Sequence, residues 1–213
     1  MSINGVEATE YKLHGQARHA GTTPVPVRKD AGRAASEAIA TAYAKFTKTA
    51  AIGDRLTFGS VEFRPGARNV VPASATVLSE VLSITPSGLE GLRKQVDEVM
   101  QIACDANGVT FEKQLLDRDE PATMNSRLMQ LIEKSCQSLG YSYKAMSSGA
   151  GHDAQAFAPY VPTAMIFIPS RDGISHNPAE YSDHSQIEAG GNVLLNTLLE
   201  VMYETQAVGS REA

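Results

Sequence analysis

The chain reads as an α/β protein in two parts, a complete βαββαβ layer followed by a shorter α/β segment that does not close on itself. Three observations predict this. Residues 5–116 switch repeatedly between strand and helix periods, with turn residues at each change. Two amphipathic helical stripes fill the two crossover positions. Beyond residue 118 the apolar runs are short and few, as in an edge piece of a larger sheet that needs cover on both faces. With 213 residues, 42% of them hydrophobic, the chain can bury a real core.

Residues 5–18 alternate loosely and predict a strand, which Thr22-Thr23-Pro24-Val25-Pro26 ends, because proline removes a ladder donor. Asp30 is placed to cap a helix running to about Thr49, with Ala34, Ala35, Ala38, Ile39, Ala42 and Phe46 at helical spacing. Residues 56–63 predict a strand stopped by Arg64-Pro65-Gly66, and residues 76–82 predict another. Pro86-Ser87 opens a second helix whose Leu89, Leu92, Val96, Val99, Met100 and Ala103 share a face, and Asn107-Gly108 stops it. Residues 109–116 supply the fourth strand. The order is that of the split-βαβ, ferredoxin-like arrangement.

The second part predicts a helix over residues 126–139, a short strand over 141–145, a Gly-rich loop, and a buried-type strand over 162–168. A final amphipathic helix spans 185–204, with Ile187, Leu194, Leu198 and Met202 on one face. Left alone, such a piece exposes apolar surface, so a missing half, a swapped partner or an interface is expected to cover it.

Composition narrows the function. A net charge of −5 without a basic stripe argues against a nucleic-acid surface. The two cysteines, Cys104 and Cys136, lack CxxC spacing and read as buried thiols of a reducing compartment. Met1-Ser2-Ile3-Asn4-Gly5 does not read as a signal peptide, and the apolar run near 164–168 is too short to cross a bilayer. A soluble, cytoplasmic protein with no membrane or nucleic-acid partner is the expectation.

Four segments carry candidate chemistry. Arg18-His19-Ala20-Gly21-Thr22-Thr23-Pro24 places a histidine beside a glycine that lets backbone approach a ligand; it reads either as an oxyanion donor or as a capped turn. Asn69 in Asn69-Val70-Val71-Pro72 is either a paired donor and acceptor or a turn former. Ser148-Gly149-Ala150-Gly151-His152-Asp153-Ala154 offers small residues whose N–H groups suit an anion at a helix start, with His152 and Asp153 as polar support; the plainer reading is a strand-to-helix turn. His176, in Gly173-Ile174-Ser175-His176-Asn177-Pro178-Ala179-Glu180, resembles a metal ligand, with Glu180 placed to orient its ring; otherwise it is a loop histidine. None of the five histidines pairs with another at i, i+4 spacing, so His176 has no companions for a metal that needs three ligands.

Taken in order, HAGTTP, Arg28-Lys29-Asp30, NVVP, SGAGHDA and ISHNPAE resemble the amidase branch of the M20 metallopeptidase family. That branch holds allantoate amidohydrolases, N-carbamoyl-L-amino acid hydrolases and β-ureidopropionases. The resemblance implies a lid and dimerisation domain over residues 1–117, and over 118–213 the C-terminal part of a zinc-peptidase-like catalytic domain. It implies that His176 is the last metal ligand and that His19 and Asn69 hold substrate and polarise its carbonyl, commonly across a homodimer. It implies further that Gly149, Ala150, Gly151 and His152 contact substrate. A complete site of this kind holds two divalent metals, zinc or manganese, although one imidazole suits nickel and cobalt equally.

The other metal ligands and the general base would lie in a family segment that this chain does not carry. The chain alone is therefore expected to be inert and to retain no metal. One departure stands out: where the family's Asp-x-Arg grips a substrate carboxylate, this chain has Glu80-Val81-Leu82, and leucine cannot donate. Arg64 or Arg68 would have to substitute. The other readings are an M20 aminoacylase or peptidase, and a dimerisation or ligand-binding module without catalysis.

Overall fold

The first strands form because apolar and polar residues alternate along them, and the first helices form because their apolar residues recur on one face. In a computed structural model, which describes residues 1–209, β1 (Ser2–Ile3), β2 (Gly5–His14) and β3 (Arg18–His19) precede α1 (Ala31–Thr49). There follow β4 (Arg55–Arg64), β5 (Val70–Val71), β6 (Ser74–Ser83), α2 (Pro86–Ala106), β7 (Thr110–Asp119) and β8 (Ala122–Thr123). The chain divides into two units, one of Ser2–Ala122 with Ser147–Gly151, the other of Met1, Thr123–Met146 and the residues from His152 on.

In the first unit four strands form one sheet in the order β4-β6-β2-β7, every neighbouring pair antiparallel. Residues 5, 7, 9, 11 and 13 of β2 face the helices and are buried, while the alternate residues are more exposed. Tyr11, Leu13, Val77 and Val81 meet the alanine row Ala31, Ala34, Ala35, Ala38 and Ala42 of α1 and the Leu89–Val96–Met100 stripe of α2. Small alanines let α1 lie close to the sheet. Asp30 caps α1 by accepting from the Arg33 N–H (2.9 Å), and Thr85 caps α2 through the Gly88 N–H (3.1 Å). Both cysteines are free and buried, and burial pushes the Cys104 thiol up to about 11.

One carboxylate lies under this layer. Glu7 is 4% exposed and meets Arg118 at 3.2 Å and Arg93 at 3.9 Å. Burial pushes its carboxyl above the ordinary range, against the pull of the two arginines. A carboxyl raised on folding stabilises most below its unfolded value, and that contribution is lost as pH rises through the folded value. Removing Arg118 raises it further. Arg118→Ala is therefore expected to cost about 1–2 kcal/mol at pH 7, discounted because the arginine is partly solvated, and almost nothing near pH 4. Urea unfolding at both pH values checks this; an equal loss at both would mean that Arg118 acts by packing.

In the second unit α3 (Ser126–Ser138), the single turn α4 (Ala154–Phe157) and α5 (His184–Gly209) are joined by extended chain. Thr197 on α5 is buried and its hydroxyl donates to Ser135 Oγ on α3 (3.1 Å), with Lys134 and Glu200 paired beside them (2.8 Å). The apolar residues of α5 are exposed, as expected of such a piece left alone: Ile187, Leu194 and Leu198 are each 51% exposed and Met202 58%. Two expectations fail. Residues 141–145 and 162–168 form no strand; a strand needs a neighbour to bond, and no described strand pairs with either segment. The first predicted strand is also interrupted after His14, where Gly15 N–H donates to Ala73 O and Gln16 N–H to Lys29 O. Among the described residues, no helix is long and apolar enough to cross a membrane.

Candidate functional site

His19 and Asn69 are brought together by backbone pairing. In the short ribbon β3·β5, Arg18 faces Val71 and His19 faces Val70, and Ala20 N–H donates to Asn69 O (2.8 Å). Val71 is buried and Pro72 O accepts the Ala31 N–H (3.2 Å), which fastens the ribbon to the start of α1. Gly21 N–H donates to His19 Nδ1 (3.1 Å), and a Cβ at Gly21 would stand only 3.2 Å from His19 Cε1. With Nδ1 accepting, the neutral ring carries its proton on Nε2, so the exposed ring presents a donor.

Arg28 clasps the same loop. Its Nε donates to Thr23 O (2.9 Å) and its Nη2 to Ala20 O. Asp30 caps α1 as its position predicted, whereas nothing in the sequence announced that Arg28 closes the His19 loop.

The Gly149–Gly151 segment joins the first unit at the other end of β2. Ser148 bridges Ile3 in parallel, Asn4 N–H donates to Ser148 O (3.1 Å), and Ser148 N–H donates to Ser2 O (2.9 Å). His19 and Asn69 lie beyond His14 and this loop beside Gly5, so the ten residues of β2 separate them by about 30 Å. The structure does not place these candidates in one site on one chain. Nor is the loop the open helix start expected of it. Ala150 N–H is taken by Ser148 Oγ (3.3 Å), His152 N–H by Gln155 Oε1 (3.0 Å), and Ala154 N–H by His152 Nδ1 (3.0 Å). No strand precedes it and α4 is a single turn.

His176 sits in a braced loop of the second unit. Arg171 lies over the Tyr181 ring (4.2 Å to the centroid), donates its N–H to Tyr181 O (2.7 Å) and reaches Asp183 at 3.6 Å. His176 itself is exposed and holds a left-handed φ of 55°. Glu180 accepts from the His176 backbone N–H (2.8 Å), which corrects the expectation that its carboxylate orients the ring. No sequence signal announces the Arg171–Tyr181 brace, because the two residues meet only when the loop closes.

Among the described residues, no three His, Cys, Asp or Glu side chains gather as a metal-holding group. The donor set therefore does not fit a zinc or manganese pair: His176 is one ligand where three are needed. An open groove of about 500 Å³ lined by Thr123, Met124, Asn125, Tyr160, Val161 and Pro162 contains none of the candidate residues.

The sequence pattern of peptidase family M20/M25/M40 matches residues 11–200. The chain is 38% identical to an allantoate amidohydrolase of Escherichia coli (strain K12) over 205 residues, 95% of this chain and 49% of the relative. It is 31% identical to an N-carbamoyl-L-amino-acid amidohydrolase of Rhizobium meliloti, over 90% of this chain and 46% of that one. Its mixed α/β architecture with antiparallel sheets matches a crystal structure of an amidase of the hydantoinase/carbamoylase family from Burkholderia multivorans. That match has a TM-score of 0.84 and 29% identity, covering 93% of this chain and 48% of the other. The chain spans about half the length of the curated relatives it matches.

Proposed function

The chain belongs to peptidase family M20/M25/M40, and from that premise we propose that it forms the lid and the C-terminal catalytic segment of an amidohydrolase. The reaction is hydrolysis of a linear C–N bond in a ureido or carbamoyl compound, allantoate or an N-carbamoyl-L-amino acid. Residues 1–117 act as a ferredoxin-like lid that also dimerises, and residues 118–213 belong to the catalytic domain. The observation that supports this reading is the β3·β5 ribbon, in which His19 pairs with Val70 and the next residue, Ala20, bonds the Asn69 carbonyl, while Arg28 closes the loop that follows His19.

The chemistry follows from that pair. When water adds to the carbamoyl carbon, negative charge develops on the carbonyl oxygen. His19 Nε2–H and the Asn69 amide are donors suited to that oxygen, and donors already oriented stabilise the charge without reorganising. Because the length of β2 separates them from Gly149, Ala150 and Gly151, His19 and Asn69 serve the site of a second copy. The outward apolar row of α5 supports the same reading, being the kind of face on which a larger catalytic layer would pack. His176 is the metal ligand this chain brings and His152 a substrate-side polar group.

The test has two arms. After dialysis against a small excess of zinc and manganese, the chain alone is expected to retain less than about a tenth of an equivalent of metal and to release no ammonia from allantoate. Two equivalents per chain would overturn the lone-ligand reading. Completed with a catalytic half from a relative, it is expected to turn over N-carbamoyl substrates in preference to N-acetyl ones. The reverse preference would make it an aminoacylase.

A further inference from the structure

We propose that Arg55 binds the carboxylate of the substrate, taking over across the sheet the place where Leu82 has no donor; this rests on the ureido-acid reading above. In the pairing of β4 with β6, Arg55 faces Leu82, and Leu82 faces Val6 on β2. Residues paired across antiparallel strands share a face, with Cβ atoms about 5 Å apart. Arg55, Leu82 and Val6 thus form one row on the face away from the helices, while their neighbours Leu56, Val81 and Glu7 are buried beneath the opposite face. A guanidinium on Arg55 can reach the space above Leu82.

The arginines considered from sequence cannot. Arg64 pairs with Ser74 at the far end of β6 and is bonded to Glu62, and Arg68 adjoins Asn69 beyond that same end. Eight residues of strand separate Ser74 from Leu82, about 27 Å, which no side chain spans. Arg55 is also chemically disposed for an anion. It is exposed, one Nη1–H is given to the Asp54 carbonyl oxygen (2.7 Å), and among the described residues it pairs with no carboxylate. Glu80 shares the face but lies on the diagonal, opposite Thr57. A planar fork of donors left over in this way suits a bidentate carboxylate.

Its surroundings point to the same ligand. Two residues before it, Gly53 O accepts from Asn4 Nδ2 (3.0 Å), and Asn4 N–H donates to Ser148 O (3.1 Å). The turn that leads into Arg55 is therefore joined through Asn4 to the segment that carries Gly149, Ala150 and Gly151. The carboxylate meets Arg55 and the ureido end meets the small-residue loop.

The experiment is an NMR titration of the 213-residue chain with N-carbamoylglycine and with its neutral amide. The acid is expected to shift the Arg55 Nε–H resonance and the backbone amides of residues 149–151, with an affinity about tenfold above that of the amide. Arg55→Ala is expected to remove that difference, Arg55→Lys to recover part of it, and Leu82→Arg added to Arg55→Ala to restore it. If residues 149–151 shift equally with both probes in the unaltered chain, the Arg55 proposal falls and the ureido reading stands. If neither probe shifts either segment, the Arg55 proposal falls, and the ureido reading is decided separately by whether the completed enzyme prefers N-carbamoyl to N-acetyl substrates.

Discussion

In the enzyme completed with a family catalytic half, His19→Ala and Asn69→Ala are each expected to lower kcat by about 10²–10³, with a smaller change in KM. The effect falls on kcat because the charge they meet exists only as water adds, so each donor is worth more in the transition state than in the bound substrate. The size depends on orientation. His19 is held by the Gly21 N–H at Nδ1, and its loop is closed by Arg28 at the Ala20 and Thr23 carbonyls. His19→Gln, which keeps a donor at nearly the same reach, is expected to recover part of the loss. The double variant is expected to lose less than the product of the two single losses, since both donors act on one oxygen. Steady-state ammonia release measures this; a raised KM with unchanged kcat would show that the pair binds ground state and transition state alike.

Leu13→Ala is expected to lower the unfolding free energy by about 3 kcal/mol, read from urea denaturation with an unchanged m-value. Leu13 has no exposed surface and sits on the helix face of β2, inside the cluster that holds the alanine row of α1. Alanine neighbours have no longer side chain to swing into the space, so the cavity persists. Leu198→Ala on the exposed row of α5 is the control, expected to stay within about 0.5 kcal/mol in the chain alone. A loss below about 1 kcal/mol at Leu13 would mean that α1 settles onto the sheet.

Much of the first unit was legible before any coordinates. Asp30 and Pro86 mark helix starts that the structure places at Ala31 and Pro86, and every residue read onto the α2 face is buried. Those signals are local: a cap needs a side chain three residues from its N–H, and an apolar stripe needs only the helical repeat. The candidate site was legible as a set of residue types and not as an arrangement. Nothing local in the HAGTTP segment says that its histidine pairs with Val70, or that Arg28 turns back on Ala20 and Thr23. Nothing local says that Glu180 spends its carboxylate on a backbone N–H.

The sequence by itself determined the order of the four long strands and two helices of the first unit, the cap of α1 and the start of α2, the core-facing residues of those helices, and the family. Only the tertiary structure decided that residues 141–145 and 162–168 form no strand, and that His19 and Gly149 stand at opposite ends of β2. It alone set Arg55 opposite Leu82. The physical reason is the same throughout: periodicity and capping are settled within one or two turns of chain, whereas register, pairing and exposure depend on which distant residues come to lie alongside.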